Sequence, residues 1–433
     1  MTSNESAVAP QPLSKSNRRL VLGVAFGSLV LAGAQLGLMP LASLSVSRDL
    51  LGSAYEPGLA GDWFARYTAS LMLGAALGGV VLGAAGDRFG RKRALGASVI
   101  CYSIFAGLGA IVSDQTQLLV LRFLTGLGIG GVVPSAVALA SECWPNVSRP
   151  LVAGITGAGI NVGILLMSQL GSWRDVSADS WRWLFELSAW PAALGVATLL
   201  IVPESPAWTA LRATQTASRT RTPLGTLFHP PMLRRTVIGI ALSAIPLVGA
   251  WGASKWMIPW ADHVAGVQSA GYKATTQAYW AVGATLGSFS GSLIANLLGR
   301  RVTYFLISLS SAVLTCGIFR YSQPLADGFL PLVFVQGFVA TLFFGWLPLY
   351  LPELFPTSVR SAGIGTTDNL GRVVSALGVL AAGTLMAWSG GDYTRVGAVT
   401  GLVYALGMIV IFWAPVTTGT LDVTGADLSE GRA

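Results

Sequence analysis

Charge is what this sequence has least of. Asp, Glu, Lys and Arg supply 11% of its 433 residues, against about 25% in an ordinary soluble domain. Hydrophobic residues supply 53%, and the mean hydropathy is +0.63. That balance excludes a soluble globule and points to a chain that crosses a membrane many times. Histidine and cysteine are scarce too. His229 and His263, and Cys101, Cys143 and Cys316, are too scattered to suggest a metal site or a disulfide framework. The sequence has no G-x-x-x-x-G-K-[ST] loop, which argues for secondary transport rather than an ATP-driven pump. It also lacks an HExxH helix and a nucleophile–base pair, so the expectation is not an enzyme, with no cofactor and no metal. The net charge of +8 falls in loops, without a basic stripe interleaved with aromatics, so no nucleic-acid partner is expected.

What the chain has is apolar length. A crossing needs about 20 apolar residues. Twelve runs qualify, near 20–46, 64–85, 94–112, 117–142, 151–172, 182–202, 234–260, 275–298, 302–321, 327–350, 361–387 and 394–414. The expected fold is therefore an all-α membrane protein of twelve transmembrane helices. Residues 1–19 form a polar N-terminus, 20–202 and 234–414 two six-helix bundles, 203–233 a linker rich in Pro, Thr and Arg, and 415–433 a tail. Of the 27 basic residues, 17 fall on the side of the termini and seven on the other. The excess of Lys and Arg predicts both termini in the cytoplasm of a cell (inner or plasma) membrane. Fifty-three glycines suit close helix packing in lipid. A monomer is expected.

The halves repeat each other. Gly74-Ala75-Ala76-Leu77-Gly78 matches Gly283-Ala284-Thr285-Leu286-Gly287, and Asp87, Gly90 and Arg91 match Asn296, Gly299 and Arg300. Glu142, Pro145 and Arg149 match Glu353, Pro356 and Arg360, and Asn161-x-Gly163 matches Asn369-x-Gly371. Four matches in register predict two pseudo-symmetric bundles.

Three stretches carry a family resemblance. Gly83-x-x-x-Asp87-Arg88-x-Gly90-Arg91-Lys92 resembles the signature loop between helices 2 and 3 of the major facilitator superfamily. Val202-Pro203-Glu204-Ser205-Pro206-Ala207-Trp208 resembles the motif after helix 6 in its sugar-porter, organic-ion and aromatic-acid members. Pro203 and Pro206 should stop the helix, and Ser205 can cap the next turn of chain. Asp368-Asn369-Leu370-Gly371-Arg372 resembles the Tyr-Asn-x-Gly-Arg signature of the sialate and aromatic-acid proton symporters, with Asp368 where tyrosine is usual. The resemblance implies an alternating-access carrier with its substrate site between the halves. It also implies an inner gate made by Asp87, Arg91, Glu142 and Arg149 in one half and Asn296, Arg300, Glu353 and Arg360 in the other. Asn296 replaces an acid and should weaken the second latch.

The sharpest single residue is Arg372. It falls about 12 residues into its span, roughly 18 Å deep. An arginine there needs a polar cavity or a counter-ion. Asp368, one turn earlier, supplies the latter. The expectation is that Arg372 holds a substrate carboxylate and that Asp368 neutralises it in the empty carrier and takes the coupling proton. Arg122, inside the fourth span, is a second coupling candidate; the bland reading is an arginine snorkelling to the far headgroups. Asn369, Asn161, Gln35, Gln169 and Gln336 are candidate polar lining, Lys255 either lining or a snorkelling cation, and Trp251, Trp256 and Trp346 candidate stacking surfaces. No carboxylate stands between Arg19 and Arg48, where aromatic-acid symporters usually carry acids. The expected function is proton symport of a small organic anion, an aromatic or other carboxylate. The alternatives are a neutral sugar or polyol carrier, an uncoupled facilitator with a structural Arg372–Asp368 pair, and a non-transporting sensor on the same fold.

Overall fold

The structure is a computed structural model that describes residues 13–144, 149–214, 224–269, 271–356 and 359–417. Most of the linker's middle, the ends of both termini and Pro145 lie outside these residues. Among the described residues, twelve helical spans are long and apolar enough to cross a membrane: α1 Lys15–Ala54, α2 Pro57–Phe89, α3 Arg91–Ile111, α4 Gln115–Cys143, α5 Gly154–Trp173, α6 Arg182–Ile201, α7 Met232–Ala265, α8 Tyr272–Leu298, α9 Arg300–Tyr321, α10 Phe329–Glu353, α11 Arg360–Trp388 and α12 Tyr393–Trp413. An even number of crossings brings the start of α1 and the end of α12 to one face, the terminal face; the other is the far face.

Local chemistry sets the ends. Asp114 caps α4 by accepting from Thr116 N and Gln117 N at 2.8 and 2.9 Å. Gly90 (φ 111°) separates α2 from α3, and Gly299 (φ 84°) separates α8 from α9, so the two repeated loops each need a residue without a Cβ. Ser205 Oγ accepts from Trp208 N at 3.1 Å and so caps the short helix Pro206–Thr214 that leaves α6. α7 is interrupted: its first helix ends at Gly252, a 3-10 turn covers Ser254–Trp256, and a second helix runs Met257–Ala265.

The two halves pack alike. In each, the second helix lies along the fourth, backbone against backbone. A Cβ on Gly74 or Gly78 would stand 2.0 and 1.9 Å from the carbonyl oxygens of Phe123 and Leu127. In the other half, Gly283 and Gly287 meet Phe334 O and Phe338 O at 2.1 Å each. With no hydrophobic force between helices inside lipid, this close approach supplies the dispersion contact that holds them. Gly163 of α5 meets Val30 O of α1, and Gly371 of α11 meets Ser243 of α7, again by the same rule. The halves join along two seams, α2 against α11 and α5 against α8.

Gly78→Ala should therefore lower the apparent melting temperature in detergent, since overpacking costs about 1–3 kcal/mol and backbone cannot swing aside. Gly317→Ala, with nothing within 4 Å of its new Cβ, should leave it unchanged or slightly raised. Equal melting of both variants would refute the backbone contact.

Candidate functional site

The seams are fastened unevenly. Nearest the far face, Lys273 at the start of α8 pairs with Asp262 of α7, Nζ to Oδ2 3.1 Å. The same ammonium donates to Val176 O at 2.7 Å and Ser45 Oγ at 3.3 Å, both in the opposite half. One turn deeper, Gln277 Nε2 donates to Gly37 O of α1 at 3.1 Å. At mid-span, Asn161 Nδ2 of α5 donates to Ser288 Oγ at 3.0 Å and Ala284 O at 3.4 Å. Along the other seam, Gly61 of α2 lies against Met386 of α11, Gly383 against Ala65 and Asp62, and Gly79 against Asn369. Phe64 meets Trp256 edge-on at 5.2 Å. Among the described residues, no hydrogen bond or ion pair crosses either seam on the terminal side of these contacts. The polar fastening between the halves is thus confined to the far-side and middle parts of the seams, and on the terminal side Gly154 of α5 packs against Phe289 of α8.

Arg372 and Asp368 sit where the fastening stops. Arg372 Nη2 lies 2.9 Å from Asp368 Oδ2, and its Nη1 donates to Asn369 Oδ1 at 3.4 Å. On α11 the row Gly363, Thr367, Gly371 and Ser375 is buried, and Thr367 and Gly371 pack against α7. Val374, Leu377 and Ala381 form an exposed stripe, as a lipid-facing stripe would. At 3.6 residues per turn, the Asp368–Arg372 face points almost directly away from that stripe. Asp368 is 41% exposed and Arg372 20%, so the pair is accessible on the side of α11 turned away from that stripe. The repeat adds a second observation. Asn161 and Asn369 occupy equivalent seam positions, each donating to the carbonyl four residues earlier. In that register Asp368 and Arg372 replace Ile160 and Ile164. The ion pair is an insertion into one half only.

The terminal-face charges form one cluster per half. Arg91 pairs with Asp87 and, at 3.1 Å, with Glu142, which also accepts from Ser205 Oγ. Glu204 of the post-α6 motif accepts from Lys92 N at 3.0 Å, and Trp208 Nε1 donates to Asp87 O at 2.9 Å, so that motif docks on the α2–α3 loop. Across the pseudo-symmetry, Arg300 pairs with Glu353 at 2.9 Å and donates to Asn296 Oδ1 at 2.8 Å. The amide at 296 keeps the hydrogen bond its acidic counterpart makes. Arg360 Nε donates to Pro352 O and Phe355 O at 3.2 Å each, which ties the end of α10. All of these contacts run within one half or the other. The side chain of Arg149 lies outside the described residues.

Several expected lining residues stand elsewhere. Gln169 is exposed on the same side of α5 as Leu166 and Trp173, so it faces outward rather than into the seam. Trp346 is a packing residue: it is buried between Tyr304 and Tyr350, and its Nε1 donates to Arg300 O at 2.9 Å. Gln336 belongs to the interior of the second half, where it accepts from Trp280 Nε1 at 2.8 Å and donates to Ser254 and Thr315. Gln35 is buried, and its carbonyl accepts from Arg122 Nη2 at 3.4 Å. Trp251 is partly buried against the apolar cluster shared by both halves. Neither Arg122 (3% exposed) nor Lys255 (1% exposed) snorkels; both are enclosed. Lys273 and Asp262 had no signal in sequence, because a lysine at a span's edge reads as topology and its partner stands 11 residues away on another helix.

Comparison with known proteins agrees with this geometry. The family model described as Major Facilitator Superfamily matches residues 24–378. A "Cis,cis-muconate transport protein" of Acinetobacter baylyi is 30% identical over 388 residues, covering 88% of this chain and 90% of that protein. A "3-(3-hydroxy-phenyl)propionate transporter" of Escherichia coli is 26% identical, covering 87% and 89%. In fold, a crystal structure of a D-xylose-proton symporter superimposes with a TM-score of 0.70 at 18% identity, over 92% of this chain and 98% of that one. With twelve spans, repeated halves and a family match across most of its length, the chain belongs to the major facilitator superfamily of transporters.

Proposed function

We propose that this transporter moves a small carboxylate by alternating access together with a proton, and that Arg372 holds the substrate's carboxylate. The observation that carries the reading is the Asp368–Arg372 pair: a mid-span guanidinium, facing the seam, present in one half and replaced by isoleucine in the other. A planar guanidinium suits a carboxylate's two oxygens. The names of the two sequence relatives, both of carboxylates, support the same class. A neutral sugar would give Arg372 no reason to leave Asp368.

Coupling comes from competition. Arg372 cannot serve Asp368 and a substrate carboxylate equally. As the substrate takes the guanidinium, Asp368 loses its counter-ion and takes up the coupling proton in its place. Anion and proton then travel together. The 17-to-7 basic bias supports a cytoplasmic terminal face in the cell membrane. The far-face knot of Lys273, Asp262, Ser45 and Val176 acts as the outer gate, and the Arg91 and Arg300 clusters stiffen the helix ends that meet when the inner side closes. Both halves lie in one chain, so a monomer suffices.

Arg372→Lys should weaken binding of carboxylates by about tenfold or more in a thermal-shift panel of acids and sugars, because the bidentate fork is lost. Full anion uptake with unchanged affinity would defeat the assignment. Asp368→Asn should abolish accumulation driven by a pH gradient in proteoliposomes yet keep exchange of internal for external substrate; accumulation at the wild-type level would remove Asp368 from coupling. Asp87→Asn should slow interconversion while leaving affinity alone, and a normal maximal rate with altered affinity would count against it. For the outer gate, Lys273→Met should raise, several-fold, far-side maleimide labelling of Leu38→Cys in a background lacking the three native cysteines. Unchanged labelling would show that the knot does not hold that side shut.

A further inference from the structure

Lys255 is a buried amine for which the fold has made no provision. It stands on the interruption of α7, within the turn Ser254–Trp256, with a side chain 1% exposed. Its Nζ has no hydrogen-bond partner, and no carboxylate among the described residues lies within ion-pair reach. What it touches is aromatic: its Nζ is 3.3 Å from the ring centre of Trp280 and 5.8 Å from that of Trp251. The polar groups beside it are already committed to one another. Ser254 bonds Tyr404 and Gln336, and Gln336 bonds Trp280 and Thr315. The contrast is Lys273, in the same half, which is met by a carboxylate, a carbonyl and a hydroxyl. A lysine kept for structure is served in that way, and Lys255 is not.

Its level in the membrane can be read from helix contacts. Gly239 of α7 meets Thr367 of α11, and Gly252 lies beside Gly378, so Lys255 stands level with about residue 383. That is some eleven residues, about 16 Å, toward the far face from Arg372. Gly383 is where α11 seals against Asp62 and Ala65 of α2, and Trp256, next to Lys255, meets Phe64 across the same seal. Parting the far side must move both contacts. From the other half, Arg122 is buried with Nε and Nη1 unpartnered, one turn past Leu118 in the far-side part of α4.

We propose that Lys255 is a second anion station, distinct from Arg372: with the far face open, it receives the carboxylate of a substrate arriving from that side, the two tryptophan faces flanking it, and with the far face shut it is buried empty. This rests on the carboxylate reading above. It differs in predicting sidedness, because a contact made in only one conformational state changes affinity from one side only.

The test is zero-trans transport of radiolabelled muconate into right-side-out and inside-out membrane vesicles. Lys255→Met should raise the far-side KM by about tenfold or more, the worth of one charge-assisted contact. Its terminal-side KM should stay within about twofold, with the loss there falling on maximal rate. Lys255→Arg should keep most of the far-side affinity, and it serves as the folding control if the methionine variant melts early. Trp280→Leu offers an independent check, since it removes one ring face and should raise the same far-side KM without altering the terminal side. Equal KM increases on both sides, or no far-side change in either variant, would overturn the station while leaving Arg372 in place. If neither muconate nor any acid of the thermal-shift panel is bound or moved by the unaltered protein, the carboxylate reading fails, and the station falls with it.

Discussion

An ion inside a helix bundle has lost its water, and what replaces that water decides its role. Four basic side chains of this chain show four replacements. Lys273 is given a carboxylate and two oxygens, two of those ligands from the opposite half, and so fastens the halves together. Arg372 is given Asp368 and keeps partial exposure, which is what the proposed exchange of one anion for another needs. Arg122 is given a single distant carbonyl. Lys255 is given only ring faces. The more completely the protein answers a charge, the more structural that charge is.

The symmetric frame makes these differences readable. Glycine contacts repeat between α2–α4 and α8–α10, and the paired asparagines Asn161 and Asn369 mark equivalent seam positions. Packing alone needs no more than this. A residue that breaks the repeat at a shared position, as Asp368 and Arg372 do over Ile160 and Ile164, has no packing reason to be charged. The proposed function accordingly places its chemistry in a departure from a scaffold that is otherwise duplicated.

The scaffold was legible in the chain because its signals are local. Apolar run length gives each crossing, the glycine at the α2–α3 turn gives a positive φ, and Ser205 caps the short helix as its placement suggests. Arg372 was legible because depth along one helix and an i, i+4 acid can both be counted from sequence. What escaped depends on where a side chain points across helices. Trp346 looks like a stacking surface in sequence, yet its indole caps a carbonyl inside one half. Gln169 is one residue after buried Ser168, about 100° further round the helix, and that turn carries it to the exposed side. Lys255 reads as an end-of-span lysine, and only the break in α7 turns it inward.

The two seams are made of different stuff. Among the described residues, every side-chain hydrogen bond between halves involves α8: Lys273, Gln277, and the Ala284 and Ser288 that receive Asn161. The α2–α11 seam offers glycine, alanine, methionine and aromatic edges instead. Directional bonds hold their partners to a register, whereas smooth apolar surfaces let theirs glide. In the state described, the α5–α8 side works as a keyed joint and the α2–α11 side as a sliding one, so a shift between the halves meets its toothed resistance along α8.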